Sequence, residues 1–272
     1  MDKNGHLLLF RSKKGGSQMT YYVSRLRSDK LFLISVLLLV VFINIDLYVL
    51  IVQKSNYSAM LSTFLTGNSL GHYAQMLVLW IAPVYVLLGP ASWYSNDCKC
   101  GNDKVLITRY GKKKYLQSNL LMTFISSAVT MVLLLTSNLV SSMILFSQNK
   151  LTPFGSNPAE FMEYGIDDLT LQLNHQVVTN IVYIVVFSFI YGLLNVLFLS
   201  MSFIFIKKSI TFFGAMAVWF LCTTGDYAIT FAIQPFTEYS MGFQVYIVGV
   251  FFTIVSCICG CLYLYKVKSD EL

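Results

Sequence analysis

The sequence predicts an all-α integral membrane protein with six transmembrane helices. Of its 272 residues, 56% are hydrophobic and only 12% are charged, whereas a soluble domain carries about 25% charged residues. The mean hydropathy is +0.65, and the charged residues cluster between long apolar runs. These values exclude a disordered chain, a coiled coil and a small disulfide-stabilised fold.

Six apolar runs are long enough to cross the hydrocarbon core of a membrane, which needs about 20 helical residues. They are residues 31–52, 73–93, 120–145, 177–206, 210–233 and 245–265. Together they form one predicted transmembrane domain, 31–265, preceded by a segment 1–30 and followed by a tail 266–272. The fifth run contains Thr223-Thr224-Gly225-Asp226, so either a full crossing or a break followed by a re-entrant or interfacial segment is open.

The distribution of Lys and Arg predicts the orientation. The net charge is +6, and 17 of the 19 basic residues lie in 1–30 or in the stretches that follow the second, fourth and sixth runs. Because positively charged loops stay in the cytoplasm, we expect a multi-pass protein of the cell membrane with both termini cytoplasmic. The basic surface would face the lipid bilayer and not nucleic acid. The first run would be a retained anchor and not a cleaved signal peptide.

A short amphipathic helix is predicted over residues 19–30. The apolar residues recur at helical spacing and alternate with polar ones; they are Met19, Tyr22, Val23 and Leu26. This pattern is typical of a helix that lies in the membrane interface. An ordinary basic flank is the alternative.

A second short helix is predicted between the second and third runs. Asn102 or Asp103 can cap its N-terminus, and Gly111 is placed to end it. The helix carries several apolar residues, namely Val105, Leu106, Ile107 and Tyr110. An exposed apolar surface of this kind needs a cover, and the sequence leaves open whether lipid or a soluble partner provides it.

Five polar residues within the apolar runs are candidates for a translocation path: Asp46, Asp226, Thr123, Ser127 and Thr130. The two aspartates would lie in the outer third of the bilayer, where they would either line a vestibule for cationic cargo or reach the headgroups or cap a broken helix. The three hydroxyl residues follow one face of the third run. They would serve either helix packing or a transport path.

Motifs of the common catalytic and nucleotide-binding sites are absent from the sequence. It contains no Gly-x-x-x-x-Gly-Lys-Ser/Thr loop, no Gly-x-Ser-x-Gly turn and no His-Glu-x-x-His helix. We therefore expect no enzyme activity on this chain, and no catalytic, cofactor or metal site.

The order of predicted elements resembles that of a known family. An interfacial helix, two spans and a short Gly-containing helix with a basic cluster precede the third span, and residues 101–116 read Gly-Asn-Asp-Lys-Val-Leu-Ile-Thr-Arg-Tyr-Gly-Lys-Lys-Lys-Tyr-Leu. This stretch resembles the coupling-helix loop in permease subunits of bacterial ABC transporters of the type-2 exporter class. The resemblance covers the layout of the whole chain.

The resemblance implies a half-transporter whose ATPase, with its ATP and magnesium, is a separate subunit. A second permease copy or a sister permease would complete it, and its cargo would be a peptide, an antimicrobial or a hydrophobic compound. Residues 19–30 would be the connecting helix. The coupling helix would dock in a groove of the ATPase through Asp103, Lys104, Leu106, Ile107, Arg109 and Tyr110.

Two other functions remain open from the sequence. The first is an ATP-independent carrier or channel, which would show an internal repeat between its halves; none is visible. The second is a membrane scaffold or sensor without transport activity, in which residues 19–30 would bind lipid.

Overall fold

The computed structural model describes residues 18–53, 57–66, 78–79, 89–149, 167–205, 207–237 and 239–269. Within these residues the fold is all-α, as the sequence predicts. Its α-helices are α1 Gln18–Ser28, α2 Lys30–Val52, α3 Trp93–Cys100, α4 Asn102–Tyr110, α5 Lys112–Leu145, α6 Asp167–Asn174, α7 Gln176–Ser202, α8 Lys208–Thr223, α9 Ile229–Ala232 and α10 Met241–Lys268. Short 3-10 turns lie at Ala59–Leu61, Phe64–Thr66 and Pro90–Ser92.

Four helices, α2, α5, α7 and α10, are long and apolar enough to cross a membrane. The chain is therefore a multi-pass membrane protein. Helix α8 is apolar but has 16 residues, about 24 Å at 1.5 Å per residue, which is short of a hydrocarbon core of about 30 Å. The predicted second span, 73–93, lies mostly outside the described residues, so a six-span arrangement stays a prediction.

The long helices extend beyond the predicted apolar runs. Helix α5 begins at Lys112 and α10 ends at Lys268. The basic residues that precede the third apolar run and follow the sixth are therefore part of the same helices as those runs. Hydropathy marks where a helix meets the hydrocarbon, whereas backbone hydrogen bonds continue until a residue stops them. Here Gly111, with φ of +81°, separates α5 from α4.

Helix α7 lies at the centre of the molecule and packs against α5, α8 and α10. Its residues Leu194, Leu197 and Phe198 are almost fully buried. The backbones of α5 and α7 approach closely at Gly192, where an added Cβ would lie 2.9 Å from the ring of Phe124. Such small residues allow close helix packing in membranes, where lipid tails compete with any apolar side chain.

Of the two alternatives for the run 210–233, a full crossing or a break, the structure has the break. Helix α8 ends at Thr223, where the hydroxyls of Thr223 and Thr224 both donate to the carbonyl oxygen of Phe220, over 3.1 and 2.9 Å. Gly225 then takes a φ of +92°. These local bonds compete with the next helical turn, and glycine supplies the left-handed conformation that L residues avoid.

The segment after this break is buried in protein. Ile229, Ile233 and Phe236 have at most 1% of their surface exposed, and Gln172 of α6 accepts a hydrogen bond from the Phe236 amide over 2.6 Å. Asp168, also in α6, accepts from the Met241 amide at the start of α10 over 2.8 Å. Irregular backbone at membrane depth is tolerated where the protein itself satisfies its polar groups.

Asn138 of α5 connects three parts of the fold and is 1% exposed. Its Oδ1 accepts from the Phe64 amide over 2.9 Å, and its Nδ2 donates to the Ile43 carbonyl of α2 over 3.0 Å. The segment 57–66 is thereby held against α2 and α5.

We expect Asn138→Ala to lower the free energy of unfolding by about 1–3 kcal/mol, because the buried Phe64 amide loses its acceptor. Thermal unfolding of the purified protein in detergent would measure the change. Ser137→Ala is the matched control, since that hydroxyl bonds within α5 to the Leu134 carbonyl. Equal unfolding temperatures for the two variants would contradict this account of Asn138.

Candidate functional site

The site is a cluster formed by α1, α3, α4 and the first turns of α5, which we call the α1–α4 cluster. At its centre is Asp97 of α3, which is 2% exposed. Its Oδ2 accepts from Arg25 Nη1 of α1 over 2.9 Å and from the Tyr115 hydroxyl of α5 over 2.9 Å. One carboxylate thus joins three helices through charge-assisted hydrogen bonds, which are stronger than neutral ones.

Arg25 is held on several sides. Its Nη2 donates to the Trp93 carbonyl over 3.3 Å, and its guanidinium lies 4.8 Å from the centre of the Trp93 ring. Burial is the largest influence on Arg25 and lowers its pKa, but the hydrogen bond to Asp97, the negative charge of Asp97 and the nearby tyrosines together outweigh it, so the pKa stands above its ordinary value. The charge therefore persists in a largely water-free site, where a paired, stacked arginine is favoured over lysine.

Tyr22 and Trp93 form the apolar part of the same contact. Their rings stack with centroids 6.2 Å apart, and the Tyr22 hydroxyl donates to Asn119 Oδ1 over 3.0 Å. Burial raises the pKa of Tyr22, so this hydroxyl stays protonated. Trp93 Nε1 donates to Asp29 Oδ2 over 2.6 Å.

The predicted helix over 19–30 differs from α1 in two ways. Asp29 ends it, because this side chain caps α2 by accepting from the amides of Leu31 and Phe32. Its faces also differ from the predicted ones: Arg25 is turned into the protein, while Val23 is 42% exposed. Periodicity assigns the charged side to solvent, but a buried partner such as Asp97 reverses that preference.

Helix α4 is bounded by two glycines with positive φ. Gly101, at +72°, ends α3 and precedes α4, and Gly111, at +81°, ends α4 as predicted. The predicted N-cap by Asn102 or Asp103 is not formed, since Gly101 occupies that position without a side-chain cap. Two sharp turns thus set off a nine-residue helix between α3 and α5.

The faces of α4 divide the residues that the sequence proposed for docking. Leu106 and Ile107 are half-buried and pack against the core, while Asp103 and Tyr110 are also half-buried. The exposed residues are Lys104, Val105, Thr108 and Arg109. Val105 has 58% of its surface exposed, so it is the outward apolar residue of α4, although the docking residues expected from the sequence included Leu106 and Ile107 and left Val105 out.

Lys112 links the cluster to α10. Its Nζ donates to the carbonyl oxygen of Val267 over 2.9 Å, in the last turn of α10. A cation is favoured there because the carbonyl end of a helix carries partial negative charge. The start of α5 is therefore tied to the end of another long helix.

The sequence reasoning missed the roles of Arg25, Trp93 and Tyr115. A signal was present in Asp97, which is one of two acidic residues in a stretch with six basic ones. An acid in such surroundings next to a membrane indicates a specific partner. Its partner could not be chosen from the sequence, because Arg25 is 72 residues away.

The residues proposed for a translocation path lie in different environments. Asp46 is buried within α2, whereas Asp226 is exposed in the turn after α8. Thr123 is buried, and Ser127 and Thr130 line a small cavity between α2, α5 and α7. That cavity is about 10 Å³, room for about one water molecule, so it is closed to any cargo in this conformation.

The chain is similar to the uncharacterized protein YybM of Bacillus subtilis (strain 168), with 26% identity over 254 residues that cover 93% of this chain and 100% of that protein. No family model matches the chain, and no solved structure matches it. The similarity to YybM extends along nearly the whole chain and is not confined to one helix or loop.

Proposed function

We propose that this protein is the membrane permease subunit of an ATP-driven transporter, and that α4 is where a separate ATPase subunit docks. The observation that carries the proposal is a short helix with an exposed apolar residue, Val105, anchored through its other face to the long helices. Two permease copies, or one copy and a sister chain, would form the pathway. A peptide, an antimicrobial or a hydrophobic compound would be exported.

The contacts around Asp97 support a role in force transmission. A push on α4 reaches α3 across Gly101 and α5 across Gly111, and Asp97 joins both to α1. Lys112 continues the connection to α10. Packed, hydrogen-bonded elements of this kind move as units and do not deform gradually, which a switch between inward- and outward-facing states requires.

The exposed face of α4 also indicates the chemistry of its partner surface. Lys104 and Arg109 flank Val105, and Lys112, Lys113 and Lys114 follow in the chain. A complementary partner would offer an apolar pocket with acidic residues at its rim.

The test is to purify the tagged protein from its native membrane in a mild detergent and to identify by mass spectrometry what comes with it. We expect a stoichiometric ATPase whose sequence contains Gly-x-x-x-x-Gly-Lys-Ser/Thr. A folded preparation of the protein that contains no ATPase would contradict the proposal and favour a carrier or a scaffold.

The proposal places the α1–α4 cluster in the cytoplasm, and Cys100 can test this. Cys100 is exposed at the end of α3, whereas burial raises the pKa of neighbouring Cys98 to about 11. Because the thiolate is the reactive form, Cys100 should react far faster at pH 7. We expect a membrane-impermeant maleimide to label inside-out vesicles and not right-side-out ones.

Cys100→Ser is the control that assigns the label, since Cys257 and Cys261 are also exposed but lie within α10. Loss of labelling in that variant identifies the reactive thiol. Equal labelling of Cys100 from the outside would place the cluster on the other side of the membrane, where no ATPase could reach it.

A further inference from the structure

A cavity of about 440 Å³ lies between α7 and α10, with Ala232 of α9 also in its wall. This volume is within the range of about 300–1,000 Å³ that is typical of small-molecule sites. It is far larger than the cavity beside Ser127 and is separate from the α1–α4 cluster.

Among the residues that the structure describes, the wall of this cavity offers no free hydrogen-bond donor. Its two polar side chains are Tyr183 and Gln244, and the Tyr183 hydroxyl donates to Gln244 Oε1. Gln244 Nε2 in turn lies 3.3 and 3.4 Å from the carbonyl oxygens of Phe231 and Gln234, and 3.1 Å from Thr237 Oγ1. A peptide would leave its carbonyls unpaired here, at a cost that an alkyl chain does not incur.

The dimensions of the cavity match one leaflet of a bilayer. On α10 its wall runs from Met241 to Phe252, about 16 Å along the helix axis. Half of a hydrocarbon core is about 15 Å thick. The polar Tyr183 and Gln244 lie toward the N-terminal ends of α7 and α10, and the wall beyond them is apolar.

The wall is continuous with surface that faces the membrane. Val182, Val245 and Phe252 line the cavity, yet 45% or more of the surface of each is exposed. They belong to two helices long and apolar enough to span the bilayer. Lipid tails therefore have direct lateral access.

We propose that this cavity is a binding site for one acyl chain of a membrane phospholipid, taken from the leaflet around the N-terminal ends of α7 and α10. In the predicted orientation this is the outer leaflet. Gln244 also donates to the carbonyl oxygens of Phe231 and Gln234, in the segment that follows the break after α8. The bound acyl chain would therefore lie next to that segment.

Gly249 allows a direct test. It lines the cavity, and a Cβ added there would have no atom within 4 Å, so the backbone leaves room for a side chain and Gly249→Leu would occupy part of the cavity. Gly260, on the same helix and equally open, does not line the cavity; Gly260→Leu is the matched control. The probe is a phospholipid with a photoreactive diazirine in its acyl chain, in vesicles that contain the purified protein and no ATPase.

We expect the wild type and Gly260→Leu to be crosslinked at residues 182–189 and 241–252. In Gly249→Leu this labelling should fall about tenfold, because excluding about two methylene groups costs that factor. Phospholipid that copurifies in mild detergent should be lost in the same variant.

Three results would overturn the proposal. The first is labelling that is no denser at the cavity than on the exposed face of α2 around Leu37. The second is unchanged labelling in a Gly249→Leu protein that has the gel-filtration profile of the wild type. The third is a compound other than a lipid copurifying in the cavity, which would assign the space to cargo. None of these results depends on whether an ATPase binds α4.

Discussion

Replacing Asp97 with alanine is expected to lower the free energy of unfolding by about 3 kcal/mol, since removing one partner of a buried ion pair leaves the other charge uncompensated. Arg25 has 14% of its side chain exposed, so water would compensate its charge only in part. The Tyr115 hydroxyl would lose its acceptor as well. The unfolding midpoint of the purified protein in detergent measures the loss.

The Asp97 prediction has graded controls. Asp97→Asn keeps the shape and an oxygen that accepts hydrogen bonds, so its loss should be smaller. Arg27→Ala removes an exposed arginine from α1, the helix that carries Arg25, and should change little. In a double-mutant cycle with Arg25→Met, simple addition of the two single effects would show that Arg25 and Asp97 are not coupled.

The other large effect is expected on ATPase binding. Val105→Glu should weaken the complex by about 2 kcal/mol or about thirtyfold, the scale of a central interface residue, because a carboxylate would enter an apolar pocket with an acidic rim. Since Val105 is 58% exposed, the fold should tolerate the change. The measurement is recovery of the ATPase with the tagged variant.

Val23→Glu is the matched control for Val105→Glu. Val23 is also an exposed valine of the α1–α4 cluster, but it lies on α1. It should retain the ATPase. Leu106→Glu is unsuitable as a first test, because Leu106 packs against the core. Loss of the ATPase from that variant could result from misfolding as well as from weaker docking. Full recovery of the ATPase with Val105→Glu would remove α4 from the docking surface.

Much of the local structure of the candidate site could be predicted from its sequence. The two short helices α1 and α4 follow from the periodicity of their apolar residues, and the end of α4 follows from Gly111 as a stop signal. Which face each helix buries could not be predicted. For α4 the choice between Val105 and Leu106 depends on where α3 and α5 pass, and one residue of rotation is 100° on a helix.

The segments around α6 and α9 were less predictable. Helix α6 lies between the third and fourth apolar runs, where no helix was predicted, and Asp168 there accepts a hydrogen bond from the first amide of α10. The apolar content of 210–233 predicted a span, although Thr223, Thr224 and Gly225 carried the signal for a break. The choice between a continuous span and a break depends on the burial of Ile229, Ile233 and Phe236 in the protein, which only the tertiary structure shows.

The sequence by itself determined that this is an all-α membrane protein, because long apolar runs have a single low-energy solution in lipid, the hydrogen-bonded helix. It also carried the signals for several helix ends, namely the glycines at 101 and 111, the capping Asp29, and Thr223 and Thr224, which compete with the next turn. Only the tertiary structure decided that Asp97 binds Arg25 and that α10 leaves a cavity against α7. Pairing across 72 residues and space between helices depend on how helices pack, and packing is set by all their side chains together.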